Sequence, residues 1–522
     1  MKNRNLESAW AYHNGTKHSY QSIRTNAHHL DWENQPIPFK IYSKLEPIPL
    51  PQHLSPSGRP ALSAISVVNT PAETQQGLAV QTLAEILYLS AGITKRKSYP
   101  GGEILFRAAA CTGALYHIDL YVVCGDLPGL EAGVYHFGPH DFALRRLRKG
   151  DYRAVIARAS GEEASIVNAP AVVTCASTYW RNAWKYQARA YRHCYWDNGT
   201  ILANFLAAAA ARKLPAKVVV GFVDATVNQL LGLDTNREAA LTLVALGDHA
   251  SEGVKSSAAV EPLALETMRL SKEEIDYPAI RAMHEASSLE SEAEVATWRR
   301  EAQQEGDKRA HGGEEEKRLF LLRPLSDEAI PQDTIEQVIQ RRGSTRQCSH
   351  ESITFTQLST MLDRATRRIP ADFLNETEAS LNDVYLIVHA VEDLPPGAYL
   401  FRRERRAVEL LKEGNFRREA GYLGLGQEIP ADCSVDVFFL ADLNHALERF
   451  GNRGYRAAQL EASIMGGKLY LSAYAQRLGA SGLTFFDDDV TDFFSPHGAG
   501  KSVMFLIALG KSAKPKKGLT VI

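Results

Sequence analysis

At 522 residues the chain is too long for a single core, and two to four domains are expected. With 45% hydrophobic and 23% charged residues and a formal net charge of −2, it has the make-up of a soluble globular protein, with no electrostatic reason to take nucleic acid or an anionic membrane as partner. Six scattered cysteines (Cys111, Cys124, Cys175, Cys194, Cys348, Cys433), with no CxxC pair, point to a reduced, cytoplasmic protein with neither a disulfide framework nor a zinc site.

The first residues lack the apolar run of a secretory signal, and the longest apolar helix candidate, around 205–211, is too short to span a bilayer. Residues 1–60 show little periodicity, and Pro47, Pro49 and Pro51 hold their end extended, so an arm laid over a domain surface is expected. His13, Lys17, His28 and His29 on this arm read as surface or internally bonded groups rather than functional ones. From Gln81 the spacing turns helical, with Leu83, Ile86, Leu87 and Leu89 on one face before Gly92. Strands are expected over 115–123, 133–137, 171–175 and 240–246, and a buried helix over 201–214, giving an α+β domain at 61–250. The stretch 251–324 differs. From Glu285 to Arg318 it is rich in Glu, Lys, Arg, Ala and Gln with almost no large apolar residue, so it reads as a charged helical linker or tether.

A second domain, 325–522, repeats the first. Gly133-Val134-Tyr135-His136-Phe137 returns as Gly397-Ala398-Tyr399-Leu400-Phe401, Tyr191-Arg192 as Tyr455-Arg456 and Leu214 as Leu478, each 264 positions on. Ala245-Leu246-Gly247 returns as Ala508-Leu509-Gly510 after 263. So steady an offset marks a duplicated domain, and the long linker suits a fused homodimer whose halves pair as an intramolecular pseudo-dimer.

Arg342-Gly343-Ser344-Thr345-Arg346 puts two guanidinium forks and a hydroxyl within five residues, a set able to grip phosphate. The tail beyond the last strand adds Lys514, Lys516 and Lys517. Together with the repeat, these residues resemble the FMN-dependent nitroreductase superfamily, which binds the flavin phosphate with an R-x-S-x-R segment and a basic residue after its final Ala-Leu-Gly strand. The first half looks more narrowly like the SagB-type (McbC/ThcOx-like azoline dehydrogenase) branch. The likeness is carried by Cys111-Thr112-Gly113-Ala114-Leu115-Tyr116-His117, by Lys185-Tyr186 and Tyr191-Arg192, and by Tyr12-His13, Leu30-Asp31-Trp32 and Gln35-Pro36 on the arm. The resemblance implies two tandem nitroreductase-like domains of α+β class, FMN as cofactor and no metal.

In that family each flavin sits at a dimer interface and takes its shell from both subunits. Here the halves have lost opposite parts. Where the second has 341–346 the first has 66–71, without arginine; where the first has Thr112–Tyr116 the second has Glu376-Thr377-Glu378-Ala379-Ser380; and Lys185-Tyr186 becomes Arg449-Phe450. The resemblance therefore implies one composite site. Arg342, Ser344, Arg346, Lys514, Lys516 and Lys517 would serve the phosphate, and Thr112, Gly113, Ala114, Leu115 and His193 the ring. Gly482, Leu483 and Thr484 would lie at the pyrimidine edge. Little side chain at Gly113 and Ala114 would leave room for close approach. Tyr186, its pKa lowered by Lys185, or Lys185 itself would take a proton while hydride passes to the flavin. Helix neighbours do not face each other, so both reach one site only if they precede the regular helix. His193 and Trp196 are expected over the flavin or in an aromatic core.

The implied activity is oxidation of an azoline-like or other peptide-derived or small-molecule substrate, with oxygen or another acceptor taking the electrons. The alternatives are an NAD(P)H-dependent nitro- or quinone reductase and a flavin-free scaffold that binds a peptide or partner. Whether the fused chains pair again is left open.

Overall fold

The strand-forming segments of the two repeats build the same sheet twice. The structure is a computed structural model, and it describes residues 2–26, 28–67, 77–100, 102–248, 259–303, 318–375 and 380–513. In the first half, β1 (Pro47–Pro49) is followed by a hairpin, β2 (Ile93–Tyr99) and β3 (Gly102–Arg107). Then come β4 (Ile118–Cys124), β5 (Gly133–Gly138), β6 (Ala143–Lys149), β7 (Ala171–Thr178), β8 (Ala216–Val219) and β9 (Glu238–Leu246). These form a seven-stranded antiparallel sheet in the order β1-β6-β5-β4-β7-β9-β8, the hairpin standing apart.

The second half supplies β10 (Leu319–Leu321), β11 (Asn382–Val388), β12 (Gly397–Arg402) and β13 (Ala407–Glu413), then β14 (Val435–Ala441), β15 (Gly479–Leu483) and β16 (Ser502–Gly510). Their order, β10-β13-β12-β11-β14-β16-β15, is the same topology. The central strands β7 and β9 are buried at every residue, so their sequences read as near-continuous apolar runs.

Six helices matter to the site: α1 (Glu7–Gly15), α2 (Tyr179–Tyr186), α3 (Ala190–Ala211), α4 (Pro278–Ala286), α5 (Glu292–Gln303) and α6 (Arg453–Ala475). Helices α3 and α6 are repeats of one another and pack together at the centre. Every residue of α3 is buried. A Cβ placed on Gly199 would fall 1.8 Å from Ser463 Oγ, and one on Gly467 would fall 2.5 Å from Ala203 Cβ. Gly199 and Ser463 are 264 positions apart, as are Ala203 and Gly467, so each residue touches its own counterpart. That is the signature of a two-fold axis. A second such contact pairs Pro60 with Thr334: Ala61 N donates to Asp333 O (2.9 Å), and Ile335 N to Arg59 O (3.1 Å).

Two buried ionic clusters lock the pairing reciprocally. Arg189 and Arg192 reach Asp487 in the other half, at 2.9 and 2.5 Å. Their counterparts Arg453 and Arg456 reach Asp224, at 2.6 and 2.8 Å. Burial alone would raise both carboxyl pKa values, but the arginine pairs overcome it, holding Asp487 well below the carboxylate range and Asp224 at about 2.

Each cluster is roofed by a helix from the segment preceding a domain. From the α1 segment, Thr16 Oγ1 accepts from Arg192 Nε (3.1 Å) and His13 O from Arg192 Nη2 (2.7 Å). From the α4 segment, Ser287 Oγ accepts from Arg456 Nε (2.8 Å) and His284 O from Arg456 Nη2 (2.7 Å). The duplication thus includes the arm and the linker. This corrects two expectations. Part of the arm is helical rather than extended, in α1 and again at Tyr20–Thr25. The linker is not a solvated tether where it is described, because Ile280, Met283 and Trp298 on α4 and α5 are buried.

A third correction concerns redox state. Cys348 and Cys433, 85 residues apart, form a disulfide with Cα atoms 5.0 Å apart, while the other four cysteines are free. Sheet topology brings them together: Cys348 pairs with Ser512 beyond β16, and Cys433 leads into the neighbouring β14. Among the described residues no helix is long and apolar enough to cross a membrane.

Replacing Asp224 or Asp487 by Asn strands two buried guanidinium groups, and each change should cost about 3–5 kcal/mol in denaturant unfolding. The folded pKa values lie below the unfolded 3.8, so this stabilisation is complete above that pH. It should be lost as pH falls through 3.8 toward about 2, and acid unfolding of the Asn variants should lack that component.

Candidate functional site

A cavity of about 630 Å³ lies between the halves, walled by the 109–116 loop, the end of α2 and the start of α3 on one side. Arg342–Arg346, Tyr470 and Ser481–Thr484 close the other side. The loop is wound tightly, with Gly113 (φ 62°), Ala114 (φ 55°) and Tyr116 (φ 48°) all in the left-handed region. For the two non-glycines this costs of order 1–3 kcal/mol each, so other contacts must enforce it. Asp197 on α3 is the main one. Its carboxylate accepts from Thr112 N (2.9 Å), Thr112 Oγ1 (2.7 Å) and Cys111 Sγ (3.0 Å), and lies 2.9 Å from His117 Nε2. Sequence reasoning missed Asp197. A signal was present in Glu461, 264 positions on in a helix otherwise expected to be apolar, which accepts from Ser380 Oγ (2.7 Å) and Leu381 N (2.9 Å).

Lys185 and Tyr186 are the last residues of α2, which stops because Gln187 takes φ 50°, ψ −140°. The second half makes the same stop with Gly451 (φ 68°), where the conformation is free of side-chain cost. Both side chains line the cavity although they lie on a helix, not ahead of one as expected, because the helix breaks directly after them. Tyr186 meets the His193 ring edge-on at 4.6 Å, and Lys185 Nζ lies 5.5 Å from the Tyr186 ring centre.

The expected division of labour changes. Burial, reinforced by Asp197 and Cys111, pushes the Tyr186 phenol up rather than down. Burial and then Arg346 lower the Lys185 ammonium. Gly113 also serves differently: a Cβ there would lie 2.8 Å from Tyr186 Oη, so the room it leaves is taken by that phenol. His193, lowered first by burial and then by Arg189, is neutral. Its Nδ1 contacts Asn182 Oδ1 at 2.7 Å, while its Nε2 is buried without a partner, as is Thr484 Oγ1.

At the other end, Arg346 and Ser344 are exposed, and Arg346 has no hydrogen bond or ion pair among the described residues. Arg342 departs from expectation. Its Nε and Nη2 donate to Ala108 O (3.0 Å) and Arg107 O (3.1 Å), so the guanidinium staples the halves together. Lys95, unforeseen here, donates to the carbonyls of Arg341 and Arg342 at 2.9 and 2.8 Å. Leu115 packs into the core at 6% exposure instead of facing the cavity. Lys514, Lys516 and Lys517, like 68–71 and 376–379 of the compared segments, lie outside the described residues. The tail ahead of these lysines runs beside the arginine loop, with Ser349 N donating to Lys511 O and Ala513 N to Gln347 O, both at 2.9 Å.

At the symmetry-related position protein contacts take up part of the space, leaving separate cavities of about 400 Å³ beside Leu206 and Lys217 and about 280 Å³ beside Asn375 and Glu461. Val218, Val219 and Val220 stand where the second half has Gly482, Leu483 and Thr484, 264 positions on. Val218 N donates to Pro370 O (2.8 Å), and the Asp372 carboxylate accepts from Val220 N (2.8 Å) and Gly221 N (2.9 Å). Trp298 of α5 is 1% exposed, packs on Phe450 at 5.7 Å between ring centres and donates to Phe450 O. Arg449 donates to Glu301 O (3.0 Å) and Ala302 O (2.8 Å) at the end of α5. The counterparts of Lys185 and Tyr186 thus hold the linker helix.

These features define a class of protein in which two copies of one α+β sheet domain share an interdomain cavity. Residues 339–511 match the model of the nitroreductase family. A crystal structure of a provisionally named nitroreductase from Anabaena variabilis superposes with a TM-score of 0.74 and 25% identity, over 97% of this chain and 99% of that one. A provisionally named nitroreductase of Methanocaldococcus jannaschii is 26% identical over 170 residues, 33% of this chain and 81% of that protein. The trifolitoxin-processing protein TfxB of Rhizobium leguminosarum bv. trifolii is 28% identical over 172 residues, 31% of this chain and 45% of TfxB. The chain is thus similar to nitroreductases along both halves, an oxidoreductase built as a tandem fusion of two nitroreductase-like domains.

Trp298→Ala would remove the buried indole that packs on Phe450, and should cost about 3–5 kcal/mol in denaturant unfolding.

Proposed function

We propose that the chain is an FMN-dependent dehydrogenase of the SagB type, with one FMN per chain in the interdomain cavity. The reading is carried by one observation: Arg346, Lys185, the Tyr186 hydroxyl, His193 Nε2 and Thr484 Oγ1, none with a hydrogen-bond partner among the described residues, all border one cavity walled by both halves. The residues fit the cofactor. Arg346 and Ser344 suit its phosphate, the small residues Ala109, Ala110 and Ala114 leave space for a flat ring, and His193 and Thr484 offer polar contacts. When bound, the flavin supplies a two-electron acceptor for hydride.

Oxidation also removes a proton from the substrate, and we assign that step to Lys185. Its lowered pKa enlarges the neutral fraction at neutral pH. Tyr186, held protonated, presents its hydroxyl as a hydrogen-bond donor. The likeness to a trifolitoxin-processing protein supports a peptide-derived substrate, azoline-like ones included. The provisional names of two other relatives favour a second reading, an NAD(P)H-dependent nitro- or quinone reductase. Rapid bleaching of bound flavin by NAD(P)H would select that reading, and a colourless protein unable to take up FMN would leave only a binding scaffold.

The purified chain should be yellow with one FMN; two per chain would contradict the composite site. Arg346→Ala should weaken FMN binding roughly 10- to 100-fold, the equivalent of a charged hydrogen bond of about 1.5–3 kcal/mol. Lys185→Met should keep its flavin and lose turnover. In the wild type, turnover should rise with pH and level off below the ordinary lysine value of 10.5, as a neutral amine requires.

A further inference from the structure

The β2–β3 hairpin pairs with neither sheet. Its base is fixed, since Lys95 is bonded to the 341–342 carbonyls and Thr94, Lys95, Phe106 and Arg107 line the cavity. Beyond the base it runs into solvent, with residues 95–100 and 102–104 exposed. The register sets Lys95 opposite Phe106, Lys97 opposite Ile104 and Tyr99 opposite Gly102. Directly opposed residues share a face, as do alternate residues along a strand. The face that starts at the cavity with Lys95 and Phe106 therefore continues outward through Lys97, Ile104 (42% exposed) and Tyr99 (49% exposed). The opposite face carries Arg96 and Glu103, 3.5 Å apart, whereas Lys97 has no ion pair among the described residues. An unpaired cation flanked by exposed apolar and aromatic side chains gives the fold nothing, because this ribbon packs into neither sheet.

We infer that this face is a docking strip for the part of the substrate that projects from the cavity, and that its occupant is an extended peptide with alternating acidic and apolar side chains. Continuity with the cavity wall gives the location. The run from Lys95 to Tyr99 spans about 13 Å at ~3.3 Å per residue, matching four or five residues of extended chain. On this face Lys95 and Lys97 present positive charge with no carboxylate paired to them among the described residues, which attracts an acidic peptide and repels a basic one. The term substrate rests on the dehydrogenase reading; the docking itself does not require flavin.

The test uses the full chain and a short fluorescein-labelled peptide of alternating Glu and Val, with a Lys/Val peptide beside it. By fluorescence anisotropy the acidic peptide should bind the wild type. It should bind Lys97→Glu at least about tenfold more weakly, a loss near 1.4 kcal/mol. It should also bind the Tyr99→Ala, Ile104→Ser double variant more weakly, while the Lys/Val peptide gains on Lys97→Glu. Thermal midpoint and FMN content should stay at wild-type levels, since these side chains touch neither core nor cavity. Equal binding of the acidic peptide to wild type and Lys97→Glu, or no binding to the wild type, overturns the inference. A chain that lacks FMN yet shows the charge-dependent pattern sinks the flavin reading and leaves the docking strip standing. A chain with FMN that is indifferent to peptide charge does the reverse.

Discussion

A carboxylate removed from water has to be met by positive charge, and at the starts of the two central helices that charge comes from the other half. Asp224 and Asp487 each bind two arginines across the pseudo-two-fold axis, and each cluster sits where a central helix begins. Breaking such a cluster is costly because what remains is an unpaired buried ion, so the pairing has little tolerance for a shifted register. The glycines that let α3 and α6 approach remove the remaining slack, since a packed interior does not deform continuously. Everything lining the cavity hangs from this crossing: His193 and Asp197 ride on α3, Tyr470 on α6, and β15 follows directly from α6.

The same frame carries two different contents. Around one cavity, a strained loop, a strained helix stop at Gln187 and several buried polar atoms without partners persist, each unfavourable for folding alone. At the counterpart position glycine makes the helix stop, Asp372 satisfies two backbone amides and Trp298 packs on Phe450. Strain and unsatisfied polarity gathered around one cavity are what a site with chemistry to do retains.

Much of this was legible in the sequence because it is periodic or repeated. The constant offset exposed the duplication, alternation exposed the strands, and a run of small residues exposed the buried helix. What stayed hidden depends on distant partners. Arg342 reads as a free cation until its acceptors, carbonyls more than two hundred residues away, are seen. Trp298 is one large apolar residue in a charged stretch, too sparse a signal for a packed helix. Helix α1 has only weak amphipathicity, because it is wedged between both halves instead of lying on one surface. The disulfide joins segments whose proximity only the sheet order creates.

The roofing of the clusters bears on how the protein is made. Asn3 accepts from Arg453 N and donates to Phe450 O, contacts spanning 450 and 447 residues, and His18 N binds Asp487. At a synthesis rate of about 5–20 residues per second, the first helix emerges roughly 20–90 seconds before its partners exist. Once made, Arg189 waits roughly 15–60 seconds for Asp487, 298 residues on, so the first half stands with its most apolar helix unmated and two charges uncompensated. The segment made first is among the last to be seated.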